Sequence, residues 1–271
     1  MEFFLFTTNL SLALKVEKAG IDSIIVDWES RSKLKRQKEY NLEINFDTPE
    51  DLYRLSSNLK MPITARINAI YKNTASEVEC ALINGAKIIM LPMATSLEEV
   101  KKFLAIVDKR AKTIVQIETP SLVKKIAEFK HLDWDYAYIG LNDLMVASGR
   151  HSIWEAILDG TAESICNNLR GRTYGFGGST ILGGGEPIIN VLILHELVRL
   201  GGSMSIMRRT FLRELLDRDL NMEIKALREF ISCSEKRGEQ AKLNDHEYLL
   251  RFIRKTIQFP NARCAVNESK K

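Results

Sequence analysis

Eight short apolar runs recur along the chain, each followed by a segment whose apolar residues fall at helical spacing or by a polar turn. This alternation restricts the fold more than any other feature. The runs predict strands at Glu2–Thr8, Ser23–Trp28, Pro62–Asn68, Lys87–Met93, Thr113–Thr119, Tyr136–Asn142, Thr173–Thr180 and Ser203–Arg209. Helical patterns cover Leu10–Ala19, Pro49–Leu59, Thr74–Asn84, Ser96–Lys109, Pro120–Phe129, Ser152–Arg170 and Pro187–Leu200. In Ser96–Lys109, for instance, Leu97, Val100, Phe103, Leu104, Ile106 and Val107 form one apolar face. Thr48-Pro49, Thr119-Pro120 and Glu186-Pro187 place proline at an expected first helical position, where its missing N–H leaves no bond unmade. Near-continuous apolar strands such as IIMLPM suit a parallel sheet covered on both faces.

Eight βα units in succession imply an α/β fold, a single (β/α)8 TIM barrel, rather than an open doubly wound sheet. The open sheet would usually carry a glycine-rich turn after its first strand, and here that turn reads TTNLS. A chain of 271 residues is ordinary for one such domain. The barrel is expected over about residues 1–237, followed by a C-terminal helical extension over about 238–271. The charged, helical stretch from Phe211 to Gln258 exceeds what one barrel helix needs.

Composition narrows the partners. With 45% hydrophobic and 27% charged residues the chain reads as soluble globular material. A net charge of +4, with no basic stripe interleaved with aromatics, argues against nucleic acid. No stretch approaches about 18 uninterrupted apolar residues, which argues against a membrane span. The opening MEFFLFTTNL has neither a basic start nor a cleavage site and reads as a first strand. Cys80, Cys166, Cys233 and Cys264 are scattered and unpaired by spacing, which fits free thiols in a reducing cytoplasm.

In a barrel of this kind the active site lies at the C-terminal ends of the strands. Asp27, Glu29, Arg66, Asn68, Gln116, Glu118, Asn142, Asp143, Ser179, Thr180, Arg208 and Arg209 all fall there. Glu118 and Asp143 each end an apolar run, and a buried acid is costly unless it meets a cation or another partner. Together they could hold Mg2+ or Mn2+, with water filling the remaining positions. Such an ion would chelate a 2-oxo acid and, as a Lewis acid, stabilise the enolate formed when a C–C bond breaks. Arg66 would sit near the developing oxyanion, and Gln116, on the same strand face as Glu118, would contact substrate or water. Alternatively, Arg66 is held in a salt bridge to Asp27 or Glu29, and the two acids serve only as helix caps or in structural ion pairs.

Asp27, Glu29, Asn142, Ser179, Gly184 and Arg208 are candidate substrate contacts. The loop GGSTILGGGEP lets backbone N–H groups approach an anion ahead of a helix, with Arg208 and Arg209 ending the eighth strand. The alternative is a plain turn with the arginines paired to helix acids. The run Arg31, Lys33, Lys35, Arg36 and Lys38 could steer an anionic substrate or a CoA phosphate, or simply be a solvated face.

Five ordered blocks carry a family likeness: AGIDSIIVDWE (19–29), ITARINA (63–69), NGAKIIMLPMATSLEEVKKF (84–103), IVQIETPSLVKKI (114–126) and DYAYIGLNDL (135–144). Over about residues 15–150 the chain resembles the 2-keto-3-deoxy acid aldolase and citrate lyase β-subunit family of phosphoenolpyruvate/pyruvate barrels. The resemblance implies that Glu118 and Asp143 bind the metal, that Arg66 is the catalytic arginine, and that Gln116 is the glutamine preceding the metal glutamate. It implies C–C cleavage or condensation at the methyl carbon of pyruvate, oxaloacetate or an acyl-CoA, and a homo-oligomer. The aldolase branch carries a basic histidine after the second strand, where this chain reads Glu29-Ser30-Arg31. None of His131, His151, His195 and His246 falls there, and His195 sits in an apolar helical pattern as a packing residue. The base is left among a metal-bound water, a substrate phosphate, Asp27 and Glu29. The insertion that the aldolases carry between the fourth and fifth strands is missing, as in the citrate lyase β branch. The expectation is a metal-dependent carbon–carbon lyase acting on a 2-oxo acid. An acyl-CoA lyase or condensing enzyme, or a catalytically silent anion-binding barrel, is the alternative.

Overall fold

The computed structural model describes residues 1–31 and 47–258. Its strands are β1 (Glu2–Phe6), β2 (Ser23–Asp27), β3 (Ile63–Arg66), β4 (Ile88–Leu91), β5 (Lys112–Ile117), β6 (Tyr136–Ile139), β7 (Thr173–Phe176), β8 (Gly178–Ser179) and β9 (Met204–Met207). All pairings are parallel, in the order β7-β6-β5-β4-β3-β2-β1-β9-β8. The two ends of that order are one stave: β8 continues β7 beyond Gly177, whose φ of 62° turns the chain out of extended geometry. Ser203 N–H donates to the Tyr174 carbonyl at 2.8 Å and seals β9 against β7. Eight staves therefore close into the expected α/β TIM barrel.

Strand parity sorts the core into two layers. Phe4, Ile25, Ile88, Met90, Ile114, Tyr136, Tyr138, Met204 and Ile206 fill the barrel, with Phe6 packed against them. Their neighbours face outward into the larger core beneath the helices. At the N-terminal end Lys112 Nζ donates to Tyr136 Oη, which donates to Glu2 Oε2, both at 3.2 Å.

The helices are α1 (Leu10–Ala19), α2 (Pro49–Ser56), α3 (Thr74–Ile83), α4 (Leu97–Val107), α5 (Pro120–Val123), α6 (Ile126–Phe129), α7 (Leu141–Ala147), α8 (Glu155–Leu158), α9 (Thr161–Leu169), α10 (Asn190–Arg199), α11 (Phe211–Leu215), α12 (Leu220–Glu235) and α13 (Glu239–Gln258). Side-chain caps start several of them: Asn9 for α1, a Thr48–Asp51 capping box for α2, Ser96 for α4, Thr119 for α5 and Asp219 for α12.

Four expectations are corrected. The helix predicted over Ser152–Arg170 is two helices, broken at Gly160 (φ 80°), where Thr161 N–H donates to Asp159 Oδ1 at 2.9 Å. The helix predicted over Pro120–Phe129 is also two, parted at Lys124 and Lys125, where Lys125 N–H turns back to the Leu122 carbonyl. Proline does not open α10: that helix starts at Asn190, because Asn190 N–H is engaged by the Gly184 carbonyl and its side chain by the Thr180 carbonyl. The strand predicted to reach Asn142 stops at Ile139, and α7 begins at Leu141. No described helix is long and apolar enough to cross a membrane.

The C-terminal helices dock within the chain, α12 on α1 and α10, and α13 on α10 and α8. Glu196 of α10, 2% exposed, is the polar centre of that contact. It accepts from Arg199 Nε and Nη2 at 2.9 and 2.8 Å and meets His246 Nδ1 of α13 at 3.0 Å. Burial pushes the Glu196 pKa up, but Arg199 and His246 outweigh it and hold it below the ordinary glutamate range. The stabilisation is therefore present above about pH 4.3 and is lost as pH falls through the lower folded value. Glu196→Gln is expected to lower Tm at pH 7, by up to about 3–5 kcal/mol in stability. In thermal unfolding scans that gap should close below about pH 4; a gap independent of pH would refute the charge assignment.

Candidate active site

Arg66 and Asp27 pair directly in the register of β2 and β3. Arg66 Nε and Nη2 donate to the two Asp27 oxygens at 2.8 and 2.6 Å, a bidentate clamp with Asp27 fully buried. Nη1 points to Glu29 Oε2 at 3.5 Å, and the guanidinium lies 4.8 Å from the centre of the Phe6 ring. Burial disfavours the Arg66 charge, but Asp27, with Glu29 and Glu118 beyond it, more than compensates, and its pKa is raised. The clamp makes Asp27 a residue that orients Arg66.

Asn68 uses its whole amide to fix the neighbouring loops. Its Oδ1 accepts from Ser30 N and Arg31 N at 3.1 and 2.9 Å, while Nδ2 donates to the Trp28 carbonyl and to Glu77 Oε1 at 3.2 and 2.6 Å. This holds the segment carrying Glu29 against the end of β3.

Glu118 follows β5 and is 2% exposed. Its Oε1 accepts the Met93 N–H at 2.8 Å, and Oε2 accepts from Gln116 Nε2 at 3.2 Å. Met93 adopts φ 54°, unusual outside glycine, and so turns its N–H to the carboxylate. Gly140 lies on the other side, where any Cβ would overlap Glu118 Oε2. Asp143 sits in the first turn of α7, beyond Gly140. Burial, then the Asp143 charge, then the Glu29 charge push the Glu118 pKa well above the carboxylate range, against Met93 N–H and Arg66. Four acids, Asp27, Glu29, Glu118 and Asp143, thus share one end of the barrel with Arg66.

The far side of the same mouth is built from β8, β9 and the loop before α10. Arg208 Nε donates to the Gly178 carbonyl at 2.7 Å and Nη1 reaches the Ile188 carbonyl at 3.4 Å. Thr180 Oγ1 donates to Glu214 Oε2 at 2.6 Å. The glycines here answer to packing. A Cβ on Gly184 would overlap Glu214 Oε2, one on Gly185 would stand 2.6 Å from Arg208 Nη1, and one on Gly178 would overlap Arg208 Cγ. Gly184 N–H is engaged by the Ile181 carbonyl, so it is turned away from any ligand. Ser179, 1% exposed, bonds its hydroxyl to that of Ser205 at 2.8 Å and belongs to the barrel seam. Asn142 is exposed on α7.

The structure thus brings Glu118, Asp143, Gln116, Arg66, Asp27 and Glu29 together, with Arg208 across the mouth, and draws Ser179 and Gly184 into packing. Of the basic run, only Arg31 falls among the described residues, where it covers the Tyr71 ring at 4.4 Å. His195 packs on Phe230 and meets Arg237, away from the mouth. Sequence reasoning missed the Met93 N–H, the Asn68 clamp, Tyr138, Trp154 and Glu214. Tyr138 was accessible by strand parity, since it pairs with Gln116 and shares its inward side.

Among the described residues no group of three or more His, Cys, Asp and Glu side chains is arranged to ligate an ion. The chemistry still fits a small hard cation: two carboxylates repel each other at one site, and such an ion takes one or two carboxylates with water for the rest.

No family model matches the chain, and no curated relative matches it by sequence. Solved structures do match by fold. RipC from Yersinia pestis superposes with a TM-score of 0.54 at 14% identity, over 84% of this chain and 94% of that one. The citrate synthase SbnG gives 0.58 at 14% identity, over 84% and 93%. A citrate lyase from Burkholderia xenovorans LB400 gives 0.56 at 12% identity, over 94% and 92%. A citrate synthase and a citrate lyase are thus among the barrels that share this fold, and at such identity the likeness is one of fold.

Proposed function

We propose that the chain is a divalent-metal-dependent carbon–carbon lyase of the aldolase type, acting on a 2-oxo acid such as pyruvate or oxaloacetate through its enolate. The observation that carries this reading is Glu118, buried and raised in pKa by Asp143 and Glu29 beside an arginine clamped by Asp27. Glu118 and Asp143 would hold Mg2+ or Mn2+, which when bound supplies Lewis-acid stabilisation of the substrate oxygens. Arg66 presents a fixed guanidinium where charge develops on the carbonyl oxygen, and Asp27 keeps it from rotating. Gln116 Oε1 is buried without a hydrogen-bond partner and accepts from a substrate hydroxyl or a water. Of the two acids beside Arg66, Asp27 is gripped by paired N–H groups. Glu29 stands 3.5 Å from the same guanidinium, and these two acids are the side chains proposed to move the proton. A homo-oligomer and a cytoplasmic location complete this reading.

The test is exchange of the pyruvate methyl protons with D2O, followed by proton NMR. Exchange is expected with Mg2+ or Mn2+ and should stop on adding EDTA. Exchange that survives Glu118→Gln combined with Asp143→Asn would refute the assignment. Absence of exchange while a metal still binds would turn the reading to a silent anion-binding barrel. The second reading is condensation or cleavage of an acyl thioester, favoured by Glu29-Ser30-Arg31 standing where the aldolases carry a histidine. Methyl exchange in acetyl-CoA, but not pyruvate, would establish it.

A further inference from the structure

Arg208 is a half-buried cation at the barrel mouth with only neutral partners. Its Nε and Nη1 donate to the carbonyls of Gly178 and Ile188. Its Nη2 is buried and bonds to nothing among the described residues. Glu214 is close enough for its charge to act on Arg208, yet its carboxylate is engaged by Thr180 and it makes no ion pair with the guanidinium. Trp154, 4% exposed, faces the guanidinium with its ring centre 5.5 Å from Cζ. A partly desolvated guanidinium with a buried, idle N–H and no direct ion pair is costly unless an anion meets it. Burial accordingly lowers its pKa.

Its position says what the anion belongs to. Met204 and Ile206 face the barrel interior, so Arg208, next in that parity, points into the mouth. Tyr138, buried among the interior residues and donating to the Gly177 carbonyl at 2.6 Å, feels the charges of both Arg208 and Glu118. In the order of staves Tyr138, on β6, lies between β5, which Glu118 follows, and the β7–β9 seam, which Arg208 follows.

We propose that Arg208 anchors a second oxyanion group of the substrate, a carboxylate or phosphate at the end remote from the 2-oxo acid, so that the natural substrate is at least dianionic. This rests on the lyase reading for the near end of the substrate, but its test does not need turnover. 2-Oxoglutarate and 2-oxopentanoate share one chain length and differ in the terminal carboxylate. In calorimetric titrations with Mg2+ present, the wild-type protein is expected to prefer 2-oxoglutarate by about 30-fold, which is about 2 kcal/mol. Arg208→Gln should reduce that preference to within about threefold. Arg208 also ties Gly178 to Ile188, so Arg208→Lys, which keeps the charge, accompanies it and should retain part of the preference.

A wild-type protein that binds both acids equally overturns the proposal without any variant, and a preference that persists in folded Arg208→Gln overturns it too. Inorganic phosphate that displaces 2-oxoglutarate would identify the anchor as one for phosphate; failure to displace it would identify a carboxylate anchor. An Arg208-dependent preference without pyruvate exchange would refute the lyase and leave the anchor standing. Exchange without the preference would refute the anchor alone.

Discussion

Glu118→Gln is expected to lower pyruvate methyl exchange by about 1,000-fold or more, about 4 kcal/mol of transition-state stabilisation, while raising Tm in EDTA. The two effects share one cause. Glu118 is buried against the charges of Asp143 and Glu29, and Arg66 does not balance both. An amide of the same shape removes the repulsion, and the Met93 N–H can still donate to its oxygen. Gln116 need not be stranded, because rotating its own amide turns the unpartnered Oε1 toward the new NH2 group. A gain of about 1 kcal/mol corresponds to about 2–4 °C in a domain of this size. Exchange within tenfold of wild type, measured at saturating Mn2+, would sink the assignment. A Tm that falls by several degrees would instead mark Glu118 as a structural acid that links Met93 to Gln116.

The barrel was legible because its signal is periodic. Each predicted strand overlaps an observed one, with β5 starting one residue early at Lys112, since β-branched and aromatic runs between helical patterns are local information. The strand ends were not local. Asn142 and Asp143 read as the close of an apolar run, yet Gly140 turns the chain into α7 there, and the reason is Glu118 packed where a Cβ would stand. Only the neighbouring stave reveals that.

The acidic half of the site was legible for a similar reason. Buried strands ending in Glu118, Asp27 and Arg66 are conspicuous against an apolar background, and the register of β2 with β3 turns two of them into a bidentate pair. The Arg66–Asp27 bridge and a role in chemistry, weighed as alternatives in the sequence, prove compatible in the geometry. The glycine-rich loop misled for the opposite reason. Gly184 and Gly185 suggested backbone donors for an anion, but their missing side chains make room for Glu214 and Arg208, one of which comes from a helix after the last strand. A glycine reports that something approaches closely and is silent about what.

The same limit gives the variant with the largest effect on stability. Gly175→Ala is expected to cost more than about 4 kcal/mol and to lower Tm by about 10 °C or more. Gly175 lies in β7 opposite Tyr138, and a Cβ there would overlap the carbonyl oxygen and carbon of Met204. Those atoms are backbone of β9, held by the Ser203–Tyr174 hydrogen bond on one side and by the pairing of Gly178 with Ile206 on the other. No rotamer can relieve the overlap, so the seam that closes the barrel must open. Loss of that seam would move Arg208, two residues past Ile206, away from the acidic pole. Gly183→Ala is the matched control: nothing lies within reach of its Cβ, and a change within about 0.5 kcal/mol is expected. Thermal unfolding of both variants decides the matter. If Gly175→Ala unfolds within about 2 °C of Gly183→Ala, β7 and β9 do not approach as described and the eight-stave closure is wrong.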